Sequence, residues 1–235
     1  MNGPSSPLPP AEEKTAVVQS MFDAIAPRYE LVNRLMTFGL DARWRRRTVS
    51  ALGLPTGSVV LDLACGTGDL SRTARARGLT PLGADLSFGM LAASHGTGPL
   101  IQADASALPL ASGSVDGIVC GYALRNFTDL DACLAEMGRV LRPGGRVSLL
   151  EVGAPESKLI GMGYRLWFER VVPIIGGLLS DSAAYRYLPA STAYLPSPDE
   201  LRDKLRSAGF SGINHHHLSG GLSQLVTATR EASRL

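Results

Sequence analysis

Cysteine is scarce in this chain: Cys65, Cys120 and Cys133 are the whole complement, an odd number with no C-x-x-C spacing. No disulfide framework is implied, and a reduced, cytosolic setting is the simplest reading. Net charge is nearly absent, at +2, so composition gives no general pull on nucleic acid or anionic lipid. Lysine is rare, with Arg outnumbering it 20 to 3, a bias of residue usage rather than of function. An unbroken apolar run is missing too. The most hydrophobic stretch, Leu159 to Leu179, is interrupted by Gly161, Gly163, Pro173, Gly176 and Gly177 and carries Arg165, Glu169 and Arg170. A membrane-spanning helix needs about 20 mostly apolar residues without such charges. The Pro/Ser-rich start, Met1 to Pro10, has no basic region followed by an apolar one, so it is no signal peptide.

What is present is enough for one core: 235 residues, 45% hydrophobic. Residues 1–14 read as a disordered lead and 15–235 as a single domain, with N-terminal helices over 15–52 and a cap inserted at 155–195. Val17 to Tyr29 and Leu40 to Leu52 read as amphipathic helices, with a loop around Asn33 to Gly39 between them. Strands are expected at Val59 to Leu63, Thr80 to Ala84, Leu100 to Ala103 and Gly117 to Cys120, alternating with helices at Asp69 to Arg77 and Phe88 to Ser94. Leu130 to Leu141 is a helix stopped by Pro143-Gly144-Gly145, and Arg146 to Leu150 is the strand after it. Pro198 to Ala208 is a late helix, followed by strands at Gly212 to His217 and Gln224 to Thr229. Strictly alternating strands and helices predict an α/β fold, a mostly parallel sheet with helices on both faces.

The most informative stretch is Leu61-Asp62-Leu63-Ala64-Cys65-Gly66-Thr67-Gly68-Asp69, a strand ending in a glycine turn that feeds a helix. Such a turn lets the backbone approach a nucleotide closely. The next strand ends in Asp85, about 20 residues on, where an acidic side chain meets ribose hydroxyls. Position 71 is Ser, so no G-x-G-x-x-G can be written, which argues against a dinucleotide. A ligand with a ribose and no pyrophosphate fits better, and S-adenosylmethionine is the common one. Asp62 would accept from backbone or from the ligand's ammonium. Gly66 and Gly68 make room, and Thr67 offers a hydroxyl and an N–H. Asp85, with Leu86 after it, would take the ribose hydroxyls, and Asp104 with Ala105 the adenine amino group. Gly121 and Tyr122, just past the fourth strand, join the cofactor set through the family resemblance described next. Plainer readings stand beside these: Asp69 as a helix N-cap and Asp104 as a turn former.

Longer stretches narrow the picture. Met21-Phe22-Asp23-Ala24-Ile25-Ala26-Pro27-Arg28-Tyr29, continuing to Asn33 and Phe38-Gly39, is similar to the N-terminal signature of the ubiquinone/menaquinone biosynthesis C-methyltransferase family, within the class I S-adenosylmethionine-dependent methyltransferases. Ala123-Leu124-Arg125-Asn126-Phe127-Thr128-Asp129 resembles the family's G-L-R-N-x-x-D segment, Tyr185-Arg186-Tyr187-Leu188-Pro189-Ala190-Ser191 its Y-x-Y-L-x-x-S segment, and Ala208-Gly209-Phe210 its A-G-F. The match runs over about residues 17 to 230, in order. It departs at Tyr122-Ala123 (F-G), Gly121 (often Ser), Leu110 and Val115 (Phe in each) and Asp41 (often His).

The resemblance implies a Rossmann-like, seven-stranded fold, S-adenosylmethionine as cofactor, and methylation of a demethylmenaquinol ring carbon. It names Arg125 and Asn126 as catalytic candidates: a guanidinium stays charged, stabilises the phenolate, and is oriented by its neighbour. Tyr185 and Tyr187 are further catalytic candidates, as donors to a quinol oxygen or as cap packing. Asp23 and Tyr29 would close over the cofactor. The expected partner is a prenylated naphthoquinol or related aromatic small molecule, and a homodimer is compatible with this. The protein would be cytoplasmic, with peripheral contact at the inner face of the cell membrane through Val171 to Leu179 and Arg45-Arg46-Arg47. A nucleic-acid base methyltransferase would need a Pro-Cys or an Asn/Asp-Pro-Pro-aromatic segment where this chain has Cys120-Gly121-Tyr122-Ala123, which makes Cys120 a core residue. No metal is expected, since His215 and His217 share one strand face and His216 the other, giving two ligands at most. The alternative is a relative that methylates another prenylated or polyketide-like ring, or none.

Overall fold

The computed structural model describes residues 13–155, 157, 162, 187 and 190–232. Tyr185 and most of the expected cap therefore lie outside the described residues, residues 155, 157, 162, 187 and 190–195 excepted.

A seven-stranded sheet has the order β3-β2-β1-β4-β5-β7-β6. Its strands are β1 Val59–Leu63, β2 Thr80–Asp85, β3 Leu100–Gln102, β4 Val115–Gly121, β5 Leu141–Val152, β6 Phe210–Leu218 and β7 Ser223–Arg230. The first five run parallel, and β7 is antiparallel to both β5 and β6. The helices are α1 Lys14–Ile25, α2 Tyr29–Met36, α3 Leu40–Ala51, α4 Asp69–Arg75, α5 Phe88–Ala93, α6 Leu130–Val140 and α7 Pro198–Ser207.

Alternation along the parallel strands explains the layers. Leu61 and Leu63 of β1 enter a core with Leu134 and Met137 of α6 and Leu201 and Leu205 of α7. Val60 and Val119 face the other way, onto Val49 of α3 and Leu70 and Ala74 of α4. Both sheet faces are thus covered, as an all-apolar parallel strand requires. Cys120 is fully buried in the first core, as its sequence context implied.

Two local expectations are corrected. The loop at Asn33 to Gly39 is mostly helix: α2 runs to Met36, and only Thr37 to Gly39 turn, closed by Thr37 Oγ1 donating to Asn33 O and Gly39 N–H to Arg34 O, with Gly39 at φ 73°. The Pro143-Gly144-Gly145 segment does not stop α6, which ends at Val140; β5 begins at Leu141 and carries the segment as an irregularity in its pairing with β4 between Val115 and Gly117.

Candidate active site

Strand ends and helix starts define a cavity of about 340 Å³ at the carboxyl edge of the sheet, where open α/β folds hold ligands. Its wall includes Gly66, Asp85, Leu86, Asp104, Ala105, Gly121, Tyr122 and Asn126 from the predicted set. Asp62, Thr67, Gly68 and Arg125 lie behind the wall, and Tyr187 reaches it only through Asn126. Helix α1 covers one side with Thr15, Val18, Gln19 and Phe22, none of which was singled out for ligand contact. Their signal was the apolar stripe of α1, which reads equally well as core.

Asp85 is fixed from two directions. Its Oδ2 accepts from Gly66 N–H at 2.7 Å and its Oδ1 from Ser87 N–H at 2.8 Å. Burial pushes its pKa up, against the pull of those two amides. A carboxylate has about four acceptor positions, so each oxygen keeps one for a ligand. Ser87 also donates to Asp23 Oδ1 at 2.5 Å, and Gly89 N–H donates to the same oxygen at 2.8 Å. Helix α1 is therefore fastened to the turn that carries Asp85. Asp104 Oδ1 accepts from Ser106 N–H and Oγ at 2.8 and 2.7 Å, so it shapes its turn and lines the cavity at once.

The glycine turn divides its labour. Gly66, at φ 54°, faces the cavity, but a Cβ on Gly68, at φ 88°, would run into Thr97 Cγ2. The room at Gly68 serves packing rather than a ligand. Thr67 O accepts from Arg72 Nη1 at 2.8 Å. Asp62 accepts from Ser71 N–H and Oγ, both at 2.7 Å, through Oδ2 alone; Oδ1 is buried without a hydrogen bond, and burial raises its pKa to about 7. The N-cap of α4 is Gly68, not Asp69, whose carboxylate instead pairs with Arg45 and Arg72. Arg45 is thereby drawn inward, and of the three consecutive arginines only Arg46 and Arg47 are exposed.

Two non-glycine residues lining the cavity, Ala64 and Tyr122, hold φ of 53° and 61°. Such strain collects at functional sites because surrounding structure must enforce it. Tyr122 is held by its N–H on Leu150 O at 2.7 Å, and its hydroxyl lies 3.4 Å from Ser223 Oγ.

Arg125 sits on a 3-10 turn, Leu124–Asn126, and is 5% exposed. Asn126 does not orient it. Its Nε donates to Ser191 Oγ at 3.0 Å and its Nη1 to Glu151 Oε1, in a salt bridge. Asn126 Oδ1 instead accepts from Tyr187 Oη at 3.2 Å, and burial pushes the Tyr187 phenol up to about 12. Glu151 was not anticipated, although a carboxylate directly after Leu149-Leu150 near a strand's carboxyl end is a readable signal. Its Oε1 also accepts from Val152 N–H at 2.9 Å, its Oε2 is buried without a hydrogen bond, and burial raises its pKa against the pull of Arg125.

On the far strands, the rings of His215 and His217 lie 4.9 Å apart on one face of β6, with His215 Nε2 2.6 Å from Gln224 Oε1. Among the described residues no three His, Cys, Asp or Glu side chains cluster as metal ligands would.

The model of the ubiE/COQ5 methyltransferase family matches residues 10–230. The chain belongs to that family. A demethylmenaquinone methyltransferase of Thermus thermophilus is 41% identical over 220 residues, covering 89% of this chain and all of the relative. A ubiquinone/menaquinone biosynthesis C-methyltransferase of Syntrophotalea carbinolica is 41% identical over 219 residues, covering 89% of this chain and 92% of its own. Among solved structures, a SAM-dependent methyltransferase of Thermotoga maritima superposes with a TM-score of 0.64 at 21% identity, covering 91% of this chain and 99% of that one. The phosphoethanolamine N-methyltransferase 2 of Haemonchus contortus, solved with S-adenosyl-L-methionine, gives 0.59 at 16% identity over 80% of this chain and 52% of that one. These structural likenesses carry the fold: the sheet and its helices are those of a class I methyltransferase. Membership of the family makes the chain a methyltransferase.

Proposed function

We propose that the chain is an S-adenosylmethionine-dependent C-methyltransferase that converts demethylmenaquinol to menaquinol. The observation that carries this reading is family membership across 10–230 joined to a cavity whose wall holds Asp85, Asp104 and Asn126, the neighbour of Arg125 in sequence.

The residues present suit the cofactor. Asp85 keeps acceptor positions for a vicinal diol, Asp104 and Ala105 stand where an adenine amino group would be read, and Leu86 lines the wall between them in sequence. Gly66, Gly121 and Tyr122 would border the amino-acid end, with Asp62, Thr67 and Gly68 shaping the turn from behind. When bound, S-adenosylmethionine supplies a sulfonium methyl that is already electrophilic. What the protein must add is alignment, a dry site and an electron-rich ring carbon. Helix α1, held down by Asp23, excludes water. Arg125 offers a fixed positive charge to the acceptor's oxygen as it becomes phenolate. Tyr187 keeps Asn126 in place; Tyr185, outside the described residues, stays in the catalytic set through its family segment.

The acceptor is a lipid, and we place the enzyme in the cytoplasm with peripheral contact at the inner face of the membrane through exposed Arg46 and Arg47. Among the described residues no helix is long and apolar enough to cross a membrane.

The test is methyl transfer from labelled S-adenosylmethionine, with demethylmenaquinol and a non-prenylated polyketide-like phenol as rival acceptors and mass spectrometry of the products. Methylation of demethylmenaquinol at the higher kcat/KM supports the reading. A preference for the other phenol would replace it with a different aromatic acceptor on the same site.

A further inference from the structure

Making a phenolate requires a base, and an arginine cannot be one, because its guanidinium stays protonated. The carboxylates that line the cavity each serve a turn or a helix start, and none of them pairs with Arg125. Asp85 holds the Gly66 and Ser87 amides, Asp104 the Ser106 amide and hydroxyl, and Asp129 the Ala132 amide at the start of α6.

Glu151 differs from all three. It follows Leu150, whose strand partner Gly121 lines the cavity, and it pairs with Arg125, which in sequence falls between the lining residues Ala123 and Asn126; the pair itself lies behind the wall. It is 2% exposed, and its Oε2 is without a hydrogen bond. Arg125 complements it: Nε and Nη1 are taken by Ser191 and Glu151, while Nη2 donates to none of the described residues. Among the described residues the pair thus keeps one donor, Arg125 Nη2, and one acceptor, Glu151 Oε2, without a partner.

From this geometry we infer that Glu151 is the general base, taking the acceptor's hydroxyl proton on Oε2 through one water, while the charge of Arg125 stabilises the oxygen left behind. The inference rests on the aromatic-acceptor reading above. The charges favour it. With Glu151 ionised, the guanidinium's charge is largely cancelled by its partner. Once Glu151 is protonated, the same charge is free to stabilise the phenolate, so net charge in the buried site is unchanged.

The steps balance. The acceptor's O–H bond breaks and its proton goes to Oε2. The oxygen's electron pair conjugates onto the ring carbon, which forms a bond to the methyl while the methyl–sulfur pair stays on sulfur. The ring carbon then loses its own proton to solvent, aromaticity returns, and Glu151 gives its proton back to the oxygen. Burial keeps the carboxyl above its usual range, closer to that of a phenol. The titratable and charged groups facing it are Arg125 from the 3-10 turn, Cys120 from β4 and Tyr122 just after that strand; β7 contributes neutral Ser223, whose hydroxyl donates to Glu151 O at 2.7 Å. Burial pushes the Cys120 thiol and the Tyr122 phenol up, so neither competes as a base.

Glu151→Gln separates a base from a prop, because Gln keeps an oxygen for Arg125 Nη1 and the Val152 amide but cannot take the proton. We expect kcat to fall about 10²- to 10⁴-fold with KM for demethylmenaquinol and calorimetric affinity for S-adenosylmethionine almost unchanged. The acid limb of the kcat profile, where wild-type activity falls as Glu151 takes up its proton, should vanish. A Gln variant with wild-type kcat would overturn the inference. Should that variant fail to fold, the wild-type profile decides. A plateau at neutral pH that falls tenfold per unit on the acid side supports a carboxylate base, and activity that climbs only as free phenols ionise near pH 10 overturns it. Wild-type protein that binds the cofactor but methylates no phenol refutes the acceptor reading before any variant is made.

Discussion

Arg125 and Glu151 neutralise one another where neither could be buried alone. Arg125→Ala should therefore cost more than a lost transition-state contact. Turnover should fall about a hundredfold or more. The fold should also lose on the order of 3–5 kcal/mol, because Glu151 is left buried and unpaired. A chemical melt beside the kinetics checks both, and an Ala variant of wild-type stability would show that Glu151 finds another partner. Asp85 makes the sharper binding test. Asp85→Asn cannot accept from both the Gly66 and Ser87 amides, so calorimetric affinity for S-adenosylmethionine should drop at least about tenfold, as expected when buried donors are orphaned. At this scale the sequence was readable as far as placement: Asp85, Asp104 and Asn126 all line the cavity. It was not where the partner decides the role. Arg125 could be named, but its tie to Glu151, 26 residues away on β5, depends on how a turn after β4 leans over the neighbouring strand.

Among the elements, β1 was placed to the residue and most others to within a few, because parallel strands buried on both faces leave short apolar runs between helical patterns. The misread elements share a cause. Asn33 and Gly39 look like loop residues, yet Asn33 stays in α2, which runs to Met36, and only Thr37 to Gly39 turn, with Phe38 and Gly39 in the left-handed region. Pro143-Gly144-Gly145 looks like a helix stop, yet β5 absorbs it beside a pairing irregularity. In both cases tertiary packing overrode a local breaker. The glycine turn supplies the prediction at this scale. Gly68→Ala places a Cβ against Thr97 at a left-handed φ, and should destabilise the protein by about 1–3 kcal/mol from backbone strain before the clash is counted. Cofactor affinity should change less than stability, since Gly68 does not line the cavity; the reverse would return Gly68 to the ligand site.

Seen whole, the molecule sets buried acids against the carboxyl edge of a sheet, and this shapes its response to pH. Asp62 has a folded pKa of about 7, above its unfolded value near 3.9, so between those values the native state binds the extra proton. Stability should fall as pH rises through that window, and level off above it, the opposite of a salt-bridged carboxylate. Glu151 is shifted in the same direction. Denaturant midpoints from pH 4 to pH 8 should show the decline, and Asp62→Asn should flatten it; an unaltered slope in that variant would move the effect elsewhere. The central claim, that this site methylates the ring carbon of a reduced quinol, is tested most directly by one comparison. Labelled S-adenosylmethionine is supplied with demethylmenaquinol and, in parallel, with the oxidised quinone and a demethylated benzoquinol, and the lipid products are weighed. Methylated product from the reduced naphthoquinol and none from the oxidised form is the predicted result. Equal methylation of the oxidised quinone would contradict the account, because that ring has no hydroxyl proton to give up and no phenolate for Arg125 to hold.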